Sequence, residues 1–215
     1  MTPGTGEASH SEGGRSRARR VRAYVGLGSN VGASEATLAA AVAALAALPG
    51  VRLRDVSPLY ATAPVGVTEQ PEFRNAVVAL DVPAGPEAAT GALALLVALK
   101  AIERSFGRRE RERWGPRELD LDLLVFGRWA GTAVRPADAR SDDPSRRDLP
   151  LTVPHPEART RLFVLAPFAD LAPGLVPPGW RGTVASAARR RRAVEGEGAV
   201  RRIGDWTGAG WTSPA

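Results

Sequence analysis

Two spacings of apolar residues alternate along the chain. Arg22-Ala-Tyr-Val-Gly-Leu-Gly28 is a short apolar run entering glycines, which predicts a strand leading into a tight turn. Leu38, Val42, Leu45 and Leu48 then recur at helical spacing, with Ser34 as the expected N-cap and Pro49-Gly50 as the stop. Val51-Arg-Leu-Arg-Asp-Val56 alternates as a strand does, and a loop from Thr62 to Pro71 leads into a third strand, Asn75 to Val82. A second helix is predicted after Pro86, reaching Phe106, with Leu93, Leu96, Leu99 and Phe106 as its apolar positions. A basic loop, Gly107 to Pro116, precedes a strand from Glu118 to Phe126. Residues 135–148, rich in Asp, Arg, Pro and Ser, predict a flexible insertion. Leu151-Thr-Val-Pro-His155 opens a third helix-like stretch, and Pro173 to Pro178 ends the expected compact part.

The order β-α-β-β-α-β, with a hairpin-like middle, predicts an α+β fold: a split βαβ sandwich with one mainly antiparallel sheet carrying helices. The expected organisation is a disordered tail over 1–21, one domain over 22–178, and an Arg-rich, partly ordered extension over 179–215.

Charge first suggests a nucleic-acid partner, since the 215-residue chain carries a net +6. Its distribution changes that reading. Residues 1–22 carry +3 and residues 181–215 carry +4, which leaves −1 over 23–180. The body therefore lacks the basic, aromatic-bearing face that nucleic-acid binding requires. Of the 29 basic residues only Lys100 is lysine, a bias that discounts any single Arg without supporting neighbours. With no cysteine, disulfides, thiolate metal sites and Cys nucleophiles are excluded. No apolar run approaches the ~18 residues of a membrane span, and the first twenty residues lack the apolar core of a secretory signal, so a cytoplasmic protein is expected.

The sharpest chemical signal is Asp120-Leu-Asp122 inside an apolar strand. Residues i and i+2 of a strand share a face, so both carboxylates emerge together while Leu119, Leu121, Leu123 and Val125 take the other. Such a pair repels itself unless a cation sits between, and hard oxygen donors without His or Cys suggest Mg²⁺ bridging to substrate phosphates. The plainer alternative is a solvated edge. Upstream, Gly107-Arg-Arg-Glu-Arg-Glu-Arg-Trp-Gly-Pro-Arg117 reads either as a phosphate-holding Arg loop or as a solvated charge run. Gly26-Leu-Gly-Ser-Asn-Val-Gly32 matches neither a dinucleotide loop nor a Walker loop, and is expected to be a plain turn. His155, the Thr62–Gly66 loop, Phe73, Asn75 and Phe163 read by default as structural. A nucleotidyltransferase also joins Gly-Ser to an Asp-x-Asp strand, but there the two lie about a dozen residues apart, whereas Gly28-Ser29 precedes Asp120 by some ninety.

Taken together these stretches resemble the 6-hydroxymethyl-7,8-dihydropterin pyrophosphokinase (HPPK) family of folate biosynthesis. The resemblance spans about residues 22–176. It is carried by Tyr24-Val-Gly-Leu-Gly-Ser-Asn30, Ser57-Pro-Leu-Tyr-Ala-Thr62, Gln70-Pro-Glu-Phe-Arg-Asn75, Arg113-Trp-Gly-Pro-Arg-Glu-Leu-Asp-Leu-Asp122 and Leu151-Thr-Val-Pro-His155. It implies a ferredoxin-like α/β sandwich that moves pyrophosphate from ATP to the hydroxymethyl group of a dihydropterin, releasing AMP. It further implies that Asp120 and Asp122 hold two Mg²⁺ ions, that Arg108 and Arg117 bear on the transferring phosphates, and that Trp114 helps close the site. Phe73 and Phe163 would sandwich the pterin, whose edge Asn75 and the backbone around Thr62, Ala63 and Val65 would read. Glu103, Arg113, Leu123, Thr152, His155 and Arg161 match positions that contact ATP. The expected partners are small molecules alone, with neither nucleic acid nor membrane, and the expected state is a monomer.

Overall fold

A ten-residue strand, β1 (Arg20–Ser29), is an interior strand of the sheet in the computed structural model, which describes residues 19–64, 69–107, 117–140 and 147–213. Its side chains divide by parity. Ala23, Val25 and Leu27 enter one apolar cluster and Tyr24 enters another, because both faces of this strand are covered. After β1 come α1 (Ser34–Ala46), β2 (Arg52–Val56), β3 (Leu59–Thr62), β4 (Phe73–Pro83), α2 (Ala88–Ser105) and β5 (Asp120–Phe126). The chain continues through β6 (Gly131–Ala133), β7 (Leu151–Val153), α3 (Leu162–Leu171), α4 (Val184–Glu195), β8 (Val200–Trp206) and β9 (Trp211–Thr212). The main sheet runs β5-β1-β4-β3-β8-β9, with β2 also on β4, and its pairings are antiparallel. β6 and β7 form a separate two-stranded sheet. The α+β architecture expected from the element order is the one observed.

Helices cover both faces. Leu38, Ala41, Val42 and Leu45 of α1 and Ala92, Leu95, Leu96 and Leu99 of α2 bury one stripe each, at the i, i+3, i+4, i+7 spacing that a helix aligns. Against them lie Val78, Leu80 and Val82 of β4 and Leu121 and Leu123 of β5. Burying one such leucine contributes about 2 kcal/mol, so Leu38→Ala would cost about 2–5 kcal/mol with the cavity included. On the opposite face Leu165 and Phe168 of α3 and Val184, Ala187 and Ala188 of α4 cover Tyr24, Val77, Ala79 and Leu124. No described helix is long and apolar enough to cross a membrane.

Several local expectations need correction. Ala33, not Ser34, precedes α1, and no side chain caps that end. Gly26 and Gly28 lie inside β1, and the expected turn occupies only the residues after Asn30. The register of β1 against β5 shifts between Tyr24 and Val25, so Val125 packs with Leu124 on the α3 side instead of with Leu123. Pro173–Pro178 does not end the body: α4 follows, and β8 pairs with β3 from Leu59↔Gly204 to Thr62↔Val200. Of the 1–21 tail, residues 1–18 lie outside the described residues, while Arg20 and Val21 already belong to β1. Within 135–148, residues 141–146 lie outside the described residues; Ala139 is fully buried, and Arg104 donates to the Asp138 carbonyl.

Several surface charges are paired. Asp81 of β4 accepts from Arg22 at 2.7 Å and also from Arg54. Burial works against its charge, but these two hydrogen bonds outweigh it and hold the carboxyl below its usual range. Arg201 of β8 donates to both oxygens of Glu72 at 2.8 and 2.9 Å, which lowers the Glu72 pKa in the same way. Of the Arg189–Arg192 run, Arg191 pairs with Glu195 and Arg192 with Glu197, while Arg189 and Arg190 are exposed.

Candidate functional site

Three neighbouring strands build the floor of the site. Gly28 of β1 stands opposite Asn75 of β4 on one side and opposite Asp120 of β5 on the other. Gly26 stands opposite Asp122. Glycine in a strand interior weakens it and marks a place where something else comes close. A Cβ at residue 28 would lie 3.5 Å from Asn75 Oδ1 and 3.9 Å from Asp120 Cβ, so the missing side chain leaves a hollow between an amide and a carboxylate. Adjacent strands are ~4.8 Å apart, which puts the backbones of Asn75 and Asp120 about 10 Å from each other across that hollow.

The two aspartates behave as strand parity requires. Asp120 and Asp122 are half-buried, while Leu119, Leu121 and Leu123 are sealed in the core on the opposite face. Arg117 is ion-paired to Asp120 and partly neutralises it. No group of three or more His, Cys, Asp or Glu able to hold a metal is present among the described residues. Two carboxylates beside a glycine floor nevertheless suit Mg²⁺, which takes one or two protein carboxylates and completes its shell with phosphate oxygens and water.

On the other side of the floor, Asn75 is buried and donates from Nδ2 to Thr62 Oγ1 at 2.9 Å, which fixes its amide orientation. Phe73 lies across from Thr62 in the β3–β4 pairing and is half-buried; Ala63 is exposed just beyond. Phe163 packs at the start of α3 beside Tyr60, with the Arg161 guanidinium 5.6 Å from its ring centre and Arg161 also paired to Glu157. Thr152 sits in β7, and the His155 amide donates to the Leu124 carbonyl at 2.9 Å, tying the end of β7 to β5. Two members of the expected nucleotide set do not present side chains to this surface. Leu123 is packed in the core, and Glu103 is fully buried under β5. Val65, Arg108, Arg113 and Trp114 lie outside the described residues.

The residue that the sequence reading passed over is Asn30. Only 2% exposed, it donates from Nδ2 to Gln70 Oε1 at 2.9 Å and to the Pro71 carbonyl at 3.2 Å. Its Oδ1 accepts from the Arg117 amide at 2.7 Å, and its own amide donates to the Arg117 carbonyl. One amide therefore joins the segment before Phe73 to the segment before Asp120. The signal was present in Gly-Ser-Asn after an apolar strand, but its partners lie 40 and 87 residues away.

Residues 24–173 match the model of a family described as 7,8-dihydro-6-hydroxymethylpterin-pyrophosphokinase (HPPK). The chain is 45% identical over 161 residues to the 2-amino-4-hydroxy-6-hydroxymethyldihydropteridine pyrophosphokinase of Pseudomonas aeruginosa, covering 74% of this chain and 86% of that one. It is 38% identical over 149 residues to the Bacillus subtilis protein of the same name, covering 69% and 77%. Among solved structures it is similar to wild-type Plasmodium falciparum HPPK-DHPS with pterin and p-hydroxybenzoate, with a TM-score of 0.67 and 14% identity over 92% of this chain. It spans 49% of that chain's length, and the similarity shows a shared fold.

Proposed function

The chain belongs to the 7,8-dihydro-6-hydroxymethylpterin-pyrophosphokinase family, and we propose that it transfers pyrophosphate from ATP to the hydroxymethyl group of 6-hydroxymethyl-7,8-dihydropterin in folate biosynthesis. The observation that carries this reading is the glycine floor of β1, with Asn75 on one flank and Asp120 and Asp122 on the other. An amide suits the planar donor–acceptor edge of a pterin, and a carboxylate pair suits a cation-bridged triphosphate. The hollow between them is where the hydroxymethyl oxygen and the β-phosphorus would meet.

On the pterin side, Thr62 orients Asn75 so that its Oδ1 faces the hollow. Phe73 and Phe163 would hold the ring, and the backbone at Ala63 and Val65 would complete the edge contacts. On the nucleotide side, Arg113, Thr152, His155 and Arg161 would bind ATP, with Trp114 closing over it. The hydroxyl oxygen bonds to the β-phosphorus while the bond from that phosphorus to the α-bridging oxygen breaks. AMP leaves, and the hydroxyl proton passes to solvent. Positioning and charge neutralisation supply the catalysis, so no strong general base is required. Arg108 and Arg117 would stabilise charge on the transferring group. Asp120 and Asp122 would hold two Mg²⁺ ions, which neutralise the phosphate oxygens when bound. We further propose a cytoplasmic monomer acting on small molecules without nucleic acid; the net charge of −1 over residues 23–180 supports the exclusion of nucleic acid.

The test is magnesium-dependent AMP release from ATP by purified protein with and without the dihydropterin. AMP should appear only with the pterin, and Asp122→Ala should abolish it. Release indifferent to the pterin would overturn the reading, and full turnover by Asp122→Ala would overturn the metal assignment.

A further inference from the structure

The chain's one lysine is buried. Lys100, on α2, is 6% exposed and donates to both oxygens of Glu103 at 2.8 Å; Glu103 itself is 0% exposed. Removing two charges from water costs several kcal/mol, and a packed apolar pair of similar volume is often as stable or more so. The face of α2 around this pair is otherwise apolar, with Leu96, Leu99 and Ile102 in the core. The core therefore gains nothing from the pair that leucines could not supply. What leucines could not supply is the third bond. Glu103 Oε1 also accepts from the Leu121 amide at 2.7 Å.

The place of that amide matters. β5 is the last strand of the sheet: among the described residues β1 is the strand it ladders with, and on β5 the His155 amide holds the Leu124 carbonyl. Residues at a sheet edge leave alternate amides without a strand partner, and such an edge is free to shift. Leu121 lies between Asp120 and Asp122, and its amide belongs to the peptide plane that joins it to Asp120. Fixing that plane fixes the direction in which the Asp120 side chain leaves the strand, and that of its i+2 neighbour with it. A hydrogen bond to a charged acceptor is about twice as strong as a neutral one, which favours Glu over Gln as the clamp and calls for a buried cation to accompany it.

We propose that Glu103, accompanied by Lys100, is a positioning residue that clamps the edge strand at Leu121 and thereby sets Asp120 and Asp122 for a metal-bridged phosphate. The inference rests on the pyrophosphokinase reading, and it replaces the direct nucleotide contact expected of Glu103. Acting through the strand that carries the two carboxylates, the clamp governs the metal-dependent part of nucleotide binding.

The experiment measures the affinity of full-length protein for α,β-methylene-ATP by calorimetry, in Mg²⁺ and in EDTA. Lys100→Met/Glu103→Ala removes clamp and cation together, so no orphan charge stays in the core. Its affinity in EDTA should stay within twofold of wild type, while the gain conferred by Mg²⁺ should fall at least tenfold. Lys100→Met/Glu103→Gln keeps an acceptor for the Leu121 amide and should retain that gain to within threefold. Equal weakening with and without metal would show a direct nucleotide contact and overturn the proposal. An undiminished gain in a folded Ala variant, or equal losses in the Gln and Ala variants, would overturn it as well. Should the Ala variant not fold by thermal melting, a loss beyond threefold in the Gln variant does the same. A wild-type protein whose affinity is indifferent to Mg²⁺ would refute the reading underneath, and this inference with it.

Discussion

An alanine at position 28 would carry its methyl into the hollow between Asn75 and Asp120 without disturbing the strand. The added carbon meets Asn75 Oδ1 at 3.5 Å and Asp120 Cβ at 3.9 Å, both ordinary van der Waals distances, and Gly28 does not occupy the left-handed region. Glycine gives up more backbone freedom on folding than alanine does, by roughly 0.5–1 kcal/mol. Gly28→Ala should therefore stabilise the fold by about 0.5 kcal/mol, or about 1–2 °C in Tm for a chain of this size. The same methyl displaces anything lying on the floor by about 1 Å, and a misplacement of that order costs about 100-fold in rate. The expected variant is thus slightly more stable and about 100-fold slower. Paired thermal melts and AMP-release assays decide it. Wild-type kcat/KM in the variant would mean that the reacting groups do not meet over Gly28. A Tm lowered by several degrees would refute the packing argument instead.

Three further outcomes follow from the geometry. Arg117→Ala should lower kcat far more than it weakens ATP binding, and an effect confined to affinity would count against a role in the transition state. Asn30→Ala leaves the Arg117 amide and the Gln70 and Pro71 partners unmatched; it should cost about 1–3 kcal/mol, read by urea unfolding, and raise KM for both substrates, so a change in only one would refute its joining role. Asp81 has a carboxyl pKa lowered in the fold, so its contribution is present above the unfolded value of about 3.9 and disappears as pH falls through the folded value. Asp81→Asn should lose roughly 0.5–1 kcal/mol at pH 7, and the gap to wild type should close as pH falls below the ordinary carboxylate range; a gap that does not change with pH would refute the pairing.

The elements that could be read from sequence were those whose signal is local. Asp120 and Asp122 declared a shared face through parity alone, and α1 and α2 declared themselves through leucine spacing. β3 did not, because Leu59–Thr62 is buried on both faces and shows no alternation to detect. α4 was hidden for the opposite reason: it buries only Val184, Ala187 and Ala188, beneath a run of arginines. One extra residue of β5, Leu124, between the partners of Tyr24 and Val25 reversed Val125, and no pattern within β5 announces a bulge that arises in its pairing with β1. Sequence distance also misled. Some ninety residues separate Gly28 from Asp120, yet they are strand partners, so it is membership of the family, not that separation, that sets the nucleotidyltransferase alternative aside.

The strand that borders the proposed pterin side has a kinetic implication. β3 is held between β4, a near neighbour in sequence, and β8, whose partner β9 is fastened by the Trp211 indole donating to the Ser57 carbonyl across 154 residues. Contacts so distant in sequence bear a large loop-closure entropy and form late. A folding chain would therefore pass through a stage in which β1, β4 and β5 are joined while β3 still presents an open edge. Such an edge recruits other chains. Yield on refolding should depend on protein concentration through this one strand, and the half-made sheet would be most prone to aggregate beside the surface proposed to bind the substrate.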